Sequence, residues 1–179
     1  MKLHPSPRAL VLGLAMALQA CSASHAVKPN DPTSPSPALP AQPSRPPTFE
    51  NLLHWAKQGE KGWDQIAAGL AAVFDLKPLP ANSRYGKGPR RLSDNRTLSF
   101  ASISHSAKQI DIGVAETTCV SPTWAAGILG AELDPVYQDA HGVDRGQIYD
   151  VTVNGMFVRI NTTPVTYRCV TAVHIYPAD

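Results

Sequence analysis

The stretch Tyr149-Asp150-Val151-Thr152-Val153-Asn154-Gly155-Met156-Phe157-Val158-Arg159-Ile160 decides the fold. Apolar and polar residues alternate strictly on both sides of Asn154-Gly155, and an Asn-Gly pair between alternating runs marks a two-residue type I′ hairpin. Such a turn makes Val153 face Met156, Val151 face Val158 and Tyr149 face Ile160, so all six apolar side chains share one face. A sheet patterned this way is antiparallel, covered on one side and open on the other. Downstream, a four-residue connection through Pro164 is expected to set Ile160 beside Val165, Val158 beside Tyr167 and Met156 beside Cys169. That register continues the apolar face into Thr171, Val173 and Ile175 and turns Cys169 into the core.

Working back from the hairpin, Ser121-Pro122 reads as a cap followed by a first-turn proline. It starts a helix expected to run to about Leu133, with Trp124, Ile128, Leu129 and Leu133 inward. Gly127 and Gly130 each cost such a helix about 1 kcal/mol relative to alanine, which suggests a backbone packed closely against them. Thr97 to Ser106 and Gln109 to Glu116 form a strand pair that alternates Ile110, Ile112 and Val114 against Asp111, Gly113 and Ala115. Two registers serve this pair equally well. Lys77 to Arg96 is rich in Pro, Gly, Asn and Ser and holds six basic residues against one acid, and it reads as a long loop. Further back, Thr48 caps a helix carrying Phe49, Leu52, Leu53 and Trp55. Gly59 and Gly62 separate it from a second helix with Trp63, Ile66, Ala67, Leu70, Val73 and Phe74 on one face. The expected fold is α+β: two N-terminal helices, then an antiparallel sheet of about five strands with a helix inserted between strands 2 and 3.

The N-terminus has a different character. Lys2 and Arg8 precede an apolar run from Ala9 to Ala20, the layout of an export signal. Twelve helical residues rise about 18 Å against roughly 30 Å of hydrocarbon, so the run is too short to stay as a spanning helix. Leu18, Gln19, Ala20 and Cys21 resemble the lipobox of bacterial lipoproteins, although Gln19 stands where that motif carries a small residue. The resemblance implies cleavage after residue 20, lipidation of Cys21 and anchoring to a membrane, with Ser22 pointing to the outer one. A rival site, Ser24-His25-Ala26, has the small-x-small pattern of ordinary signal cleavage and would release a soluble periplasmic or secreted protein. Residues 21–47 form a linker, with eight prolines in the twenty-one residues from Val27 to Pro47. In polyproline II geometry they reach about 60 Å.

Residues 48–179 then make one domain, large enough to bury roughly two-thirds of its unfolded surface. From Phe49 onward twelve Lys and Arg stand against thirteen Asp and Glu, which does not indicate nucleic-acid binding. With Cys21 lipidated, Cys119 and Cys169 are the two thiols left, and in an oxidising compartment they are expected to form a disulfide.

The opposite face of the meander carries Asp150, Phe157, Arg159, Arg168, His174 and Tyr176, with Asp150 across from Arg159 and Phe157 across from Arg168. Exposed aromatic and arginine side chains are the usual anchors of protein interfaces, which makes Phe157, Arg159, Arg168, His174 and Tyr176 the candidates for binding a partner. As a solvated sheet face the same residues supply an ion pair and a cation-π contact. Asp139, His141 and Asp144 hold acid-base and metal-binding residue types in one loop, yet spacing places no third and fourth ligand, and Gly- and Asp-rich loops are ordinarily turns. His105 flanked by Ser104 and Ser106 is no nucleophile-base pair, since adjacent strand residues point to opposite faces. Tyr85-Gly86-Lys87-Gly88 is too short for a phosphate loop. The basic stretch from Lys77 to Arg96 and the acids Glu132, Asp134, Asp139, Asp144 and Asp150 make the domain electrically two-ended.

No catalytic residue, metal site or cofactor is nominated. Signal, stalk and compact disulfide domain resemble, in layout alone, the periplasmic lipoproteins that serve as immunity proteins of antibacterial secretion systems or as lysozyme inhibitors. The expectation is a non-catalytic envelope protein whose partner is a toxin or wall-degrading hydrolase. A structural lipoprotein of an outer-membrane assembly or secretion complex is the second expectation, and an enzyme acting on peptidoglycan or lipid the third.

Overall fold

A computed structural model describes residues 45–134 and 141–178. It comprises α1 (Phe49–Lys57), α2 (Glu60–Val73), β1 (Lys77–Leu79), β2 (Ser83–Arg91), β3 (Thr97–Ser104), β4 (Gln109–Val114), α3 (Pro122–Leu129), β5 (Glu132–Asp134), β6 (Ile148–Val153), β7 (Met156–Thr162) and β8 (Val170–Pro177). The strands form one antiparallel sheet in the order β1-β2-β3-β4-β8-β7-β6-β5. It is built from two four-stranded meanders that meet where β4 pairs with β8.

The helices start where the sequence places their caps. Thr48 Oγ1 accepts from the Asn51 amide at 2.9 Å and Asn51 Oδ1 accepts from the Thr48 amide at 3.0 Å, a closed capping box for α1. Ser121 Oγ accepts from the Trp124 amide at 3.3 Å and Pro122 opens α3. Gly59 does punctuate the chain, at φ +64, where an added Cβ would lie 2.3 Å from the Asn154 carbonyl oxygen. The corner between the first two helices thus sits on the Asn154-Gly155 turn. Gly62, expected as a second separator, lies inside α2, and its absent side chain lets α2 approach α1 to where a Cβ would stand 1.9 Å from Trp55 O.

One core lies between the helices and one face of the sheet. Phe49, Leu52, Leu53, Ile66 and Leu70 meet Leu98, Ile103, Ile110 and Ile112 of the first meander and Met156, Ile160 and Ile175 of the second, all under 2 % exposed or at that limit. Each such side chain contributes about 1.5–3 kcal/mol on burial. The Asn-Gly hairpin has the expected register, Val153 with Met156, Val151 with Val158 and Tyr149 with Ile160. The first strand pair takes the register that opposes Ile103 to Ile110 and Ala101 to Ile112.

The sheet has eight strands, not about five. The stretch from Lys77 to Arg96 is a hairpin, β1–β2, and not a long loop: it turns at Ala81 and Asn82, both at positive φ, and β2 runs along β3. Its sequence lacks a strand's alternation because within β2 only Gly86 is buried. A hairpin at the end of the sheet, held by backbone pairing along β3, needs no apolar face. The third extra strand is β5. The helix expected to reach Leu133 stops at Leu129, because Gly130 takes the left-handed cap at φ +76, and Leu133 emerges on the edge, 47 % exposed. Nothing lies within 4 Å of a Cβ added at Gly127 or Gly130, so neither glycine marks a close backbone approach.

The β7–β8 connection also differs. It spans Thr163 to Cys169, seven residues, and sets Ile160 beside Val173, Val158 beside Ile175 and Met156 beside Pro177. The slip from the expected pairing is an even number of residues, so Val173 and Ile175 still face inward. Val165, expected beside Ile160, is 75 % exposed in the loop. Asp144 holds that loop by accepting from Val165 N and Tyr167 Oη, a long-range tie no local pattern signals. The disulfide between Cys119 and Cys169 is present, closing a separation of 50 residues. Cys169 is half-buried at the end of the loop and Cys119 is exposed, so the bridge sits at the rim of the core.

Candidate functional site

All three helices pack on one face, so the described residues leave the other face of the sheet open, and its side chains are ordered by the strands. In register across seven strands stand Tyr85, Ser102, Asp111, His174, Arg159, Asp150 and Glu132. Phe157 and Tyr176 lie in the adjacent row, paired across β7 and β8 with ring centroids 5.0 Å apart.

These groups are locked to one another. Arg159 donates from Nε to Asp150 Oδ1 at 2.9 Å and from Nη2 to Asp150 Oδ2 at 2.8 Å, a bidentate pair. Its guanidinium lies 5.4 Å from the Phe157 ring centroid. The hydrogen bonds to Asp150 raise the Arg159 pKa above its ordinary value, so the fork stays charged. His174 Nδ1 is 2.8 Å from Asp111 Oδ1, and its Nε2 is 3.3 Å from Asn161 Nδ2. The ring is thus held between the Asp111 carboxylate and the Asn161 side-chain amide. Burial pushes the Asp111 carboxyl up, but hydrogen bonds from His174 and Gln109 and the attraction of His174 together hold it below its ordinary value.

The row does not set a nucleophile beside the imidazole. Ser102 is the aliphatic hydroxyl in the row, yet β4 stands between its strand and that of His174. Two strand spacings, roughly 9–10 Å, separate hydroxyl from imidazole, and the carboxylate lies between them, the wrong order for base activation. Among the described residues no three His, Cys, Asp or Glu side chains gather as a metal site.

Of the five partner-binding candidates, Phe157, Arg159, His174 and Tyr176 do share this face. Arg168 does not: it lies exposed in the loop before β8, and Phe157 is opposed by Tyr176 in its place. Asp144 is committed to structure, accepting from the Tyr167 hydroxyl, the Gly146 amide and the Val165 amide. Tyr167 and then Gly146 are the main causes that lower its pKa. His141 is exposed nearby, and Asp139 lies outside the described residues, as do Cys21 and the N-terminal stretch read as an export signal. The His105 ring packs edge-on to Trp63 at 5.0 Å while Ser104 and Ser106 face each other at 3.4 Å, so these three form no catalytic unit. Tyr85-Gly86-Lys87-Gly88 lies within β2.

No family model, curated protein or solved structure matches the chain. Its chemistry is therefore read from the face itself. Asp111, Gln109 and Asn161 were missed from the sequence. The alternation of β4 marks Asp111 as outward, but that His174 is its neighbour follows only from the pairing of β4 with β8.

Proposed function

We propose that this chain is an exported, envelope-anchored binding protein, lipidated on Cys21, that neutralises an antibacterial toxin or a wall-degrading enzyme through its open sheet face. The observation that carries the reading is the mutual locking of Asp150, Arg159, Phe157 and Tyr176 on three adjacent strands. An inhibitor needs a rigid surface, because side chains already held in place lose little freedom on binding. Tyr and Arg held this way are the residue types that dominate binding energy at interface centres.

The test is protection. A strain lacking the gene should be killed by its siblings, and the wild-type chain supplied in trans should rescue it. The Arg159→Ala/Tyr176→Ala variant, exported at wild-type level, should not. Rescue by both would remove the open face from the mechanism, and normal survival of the deletion strain would remove the immunity role. The lipid anchor is tested separately: Cys21→Ser should shift the protein from the membrane fraction to the soluble one.

A further inference from the structure

Among the described residues the two outer edges of the sheet carry opposite charge. At one edge, β1 and β2 place Lys77, Arg84, Lys87, Arg90 and Arg91, and among the described residues none of the five closes an ion pair or a side-chain hydrogen bond. Lys77, Lys87 and Arg90 line a groove of about 420 Å³ together with Leu79, Tyr85 and a single acid, Asp75. At the other edge, β5 is Glu132-Leu133-Asp134, exposed at all three positions. Among the described residues neither carboxylate closes an ion pair, and Arg159, whose pKa Asp134 helps to raise, is committed to Asp150.

Charged side chains on short edge strands are a known defence against strand addition, and both edges show it. That defence works best with one sign, because copies of the chain then repel each other at every edge. Opposite signs do the reverse. Among the described residues three of the five large exposed apolar side chains lie at the two edges: Leu79 at 48 % and Tyr85 at 38 % on the basic one, and Leu133 at 47 % on the acidic one, where it faces the side of Tyr149. The charged groups share a face. Glu132 shares the open face with Asp150 and Arg159, and Lys77, Tyr85 and Lys87 share it with Ser102 and Phe100.

We infer that the chain associates head to tail with further copies of itself. Glu132 and Asp134 of one copy engage the Lys77, Lys87 and Arg90 groove of the next, on the open face that Glu132 and Lys87 share. Pro78 brings no N–H to β1, so the contact is made by side chains and not by an extended ladder. A contact between two different edges is heterologous and builds a row, or a ring where the rotation closes, with the open faces on one side. A contact confined to two short edges is expected to bury less than the roughly 1,200 Å² of stable pairs, so the association is weak in dilute solution and grows with density. It is separate from the role proposed for the open face.

Sedimentation velocity on the purified full chain tests it. At low salt the average mass should rise with protein concentration, and at about 1 M salt, where the screening length is roughly 3 Å, the rise should vanish. Lys87→Glu/Arg90→Glu and Glu132→Lys/Asp134→Lys should each be monomeric at concentrations where the wild type associates, with affinity at least about tenfold weaker. Mixing the two reversed variants should restore association, because each then meets an edge of opposite sign. A wild type that stays monomeric at all concentrations, variants that associate as it does, or a mixture that stays monomeric would overturn the inference. Each of these readings is independent of toxin binding, which the Arg159→Ala/Tyr176→Ala variant reports.

Discussion

The two meanders share a core but treat their charges in opposite ways. In the C-terminal meander, β5 to β8, Arg159 is paired with Asp150, and His174 reaches across the central seam to Asp111. In the N-terminal meander, β1 to β4, the arginines and lysines of β2 are unpaired among the described residues. Both are edge-to-centre sheets of four strands, so the backbone does not explain the difference. What differs is that paired charges define a fixed surface at short range, whereas free charges act at a distance and are screened by salt. The first arrangement suits a specific partner, and the second suits steering and association.

Five measurements would break or sharpen this comparison. The largest effect is expected from Cys119→Ala/Cys169→Ala. The bridge ties the segment after β4 to the start of β8, where the meanders meet, and closes a loop of 50 residues, worth about 4 kcal/mol on the chain-entropy model. Denaturant titration of reduced and oxidised protein reads it directly. Next, Ile103→Ala and Ile160→Ala should each cost about 3 kcal/mol, within the usual range of 2–5, and should unfold in single transitions. If one variant melts half of the sheet and leaves the other half folded, the meanders do not share a core.

Charge removal should then separate the halves. Arg159→Ala leaves Asp150 without its partner and should cost about 1 kcal/mol, because the pair is half-buried and partly screened. Arg84→Ala and Arg91→Ala, on β2, should stay within about 0.5 kcal/mol of the wild type. Equal costs on both sides would erase the distinction. The smallest effect concerns pH. The Asp111 carboxyl is held below its ordinary 3.8 in the folded chain, so its contribution is fully present above that value and is lost as the pH falls through the lowered one. Urea midpoints measured between about pH 5 and pH 2 should therefore fall less steeply for Asp111→Asn than for the wild type.

Legibility follows the range of the interaction responsible. The Asn154-Gly155 hairpin, the caps at Thr48 and Ser121 and the inward sets of β4 and β7 were readable because each depends on neighbours within a few residues. The β1–β2 hairpin was not, since edge pairing runs through backbone groups that every residue carries. The same reason hid β5, where Gly130 ended the helix earlier than its apolar spacing suggested. At the site, Phe157, Arg159, His174 and Tyr176 were found by strand parity, which survives an even slip in register. Arg168 was misplaced because the same slip put it in a loop.

The sequence by itself determined the α+β class, the one-sided sheet, the disulfide partners and the side of the sheet on which each residue of the main strands falls. These rest on periodicity, turn chemistry and the count of cysteines, all local or compositional. Only the tertiary structure decided that β4 lies beside β8, that His174 meets Asp111, and that a basic edge and an acidic edge end up at opposite limits of one sheet. Strand order is settled by the packing of the whole core, where distant residues compete for the same neighbours.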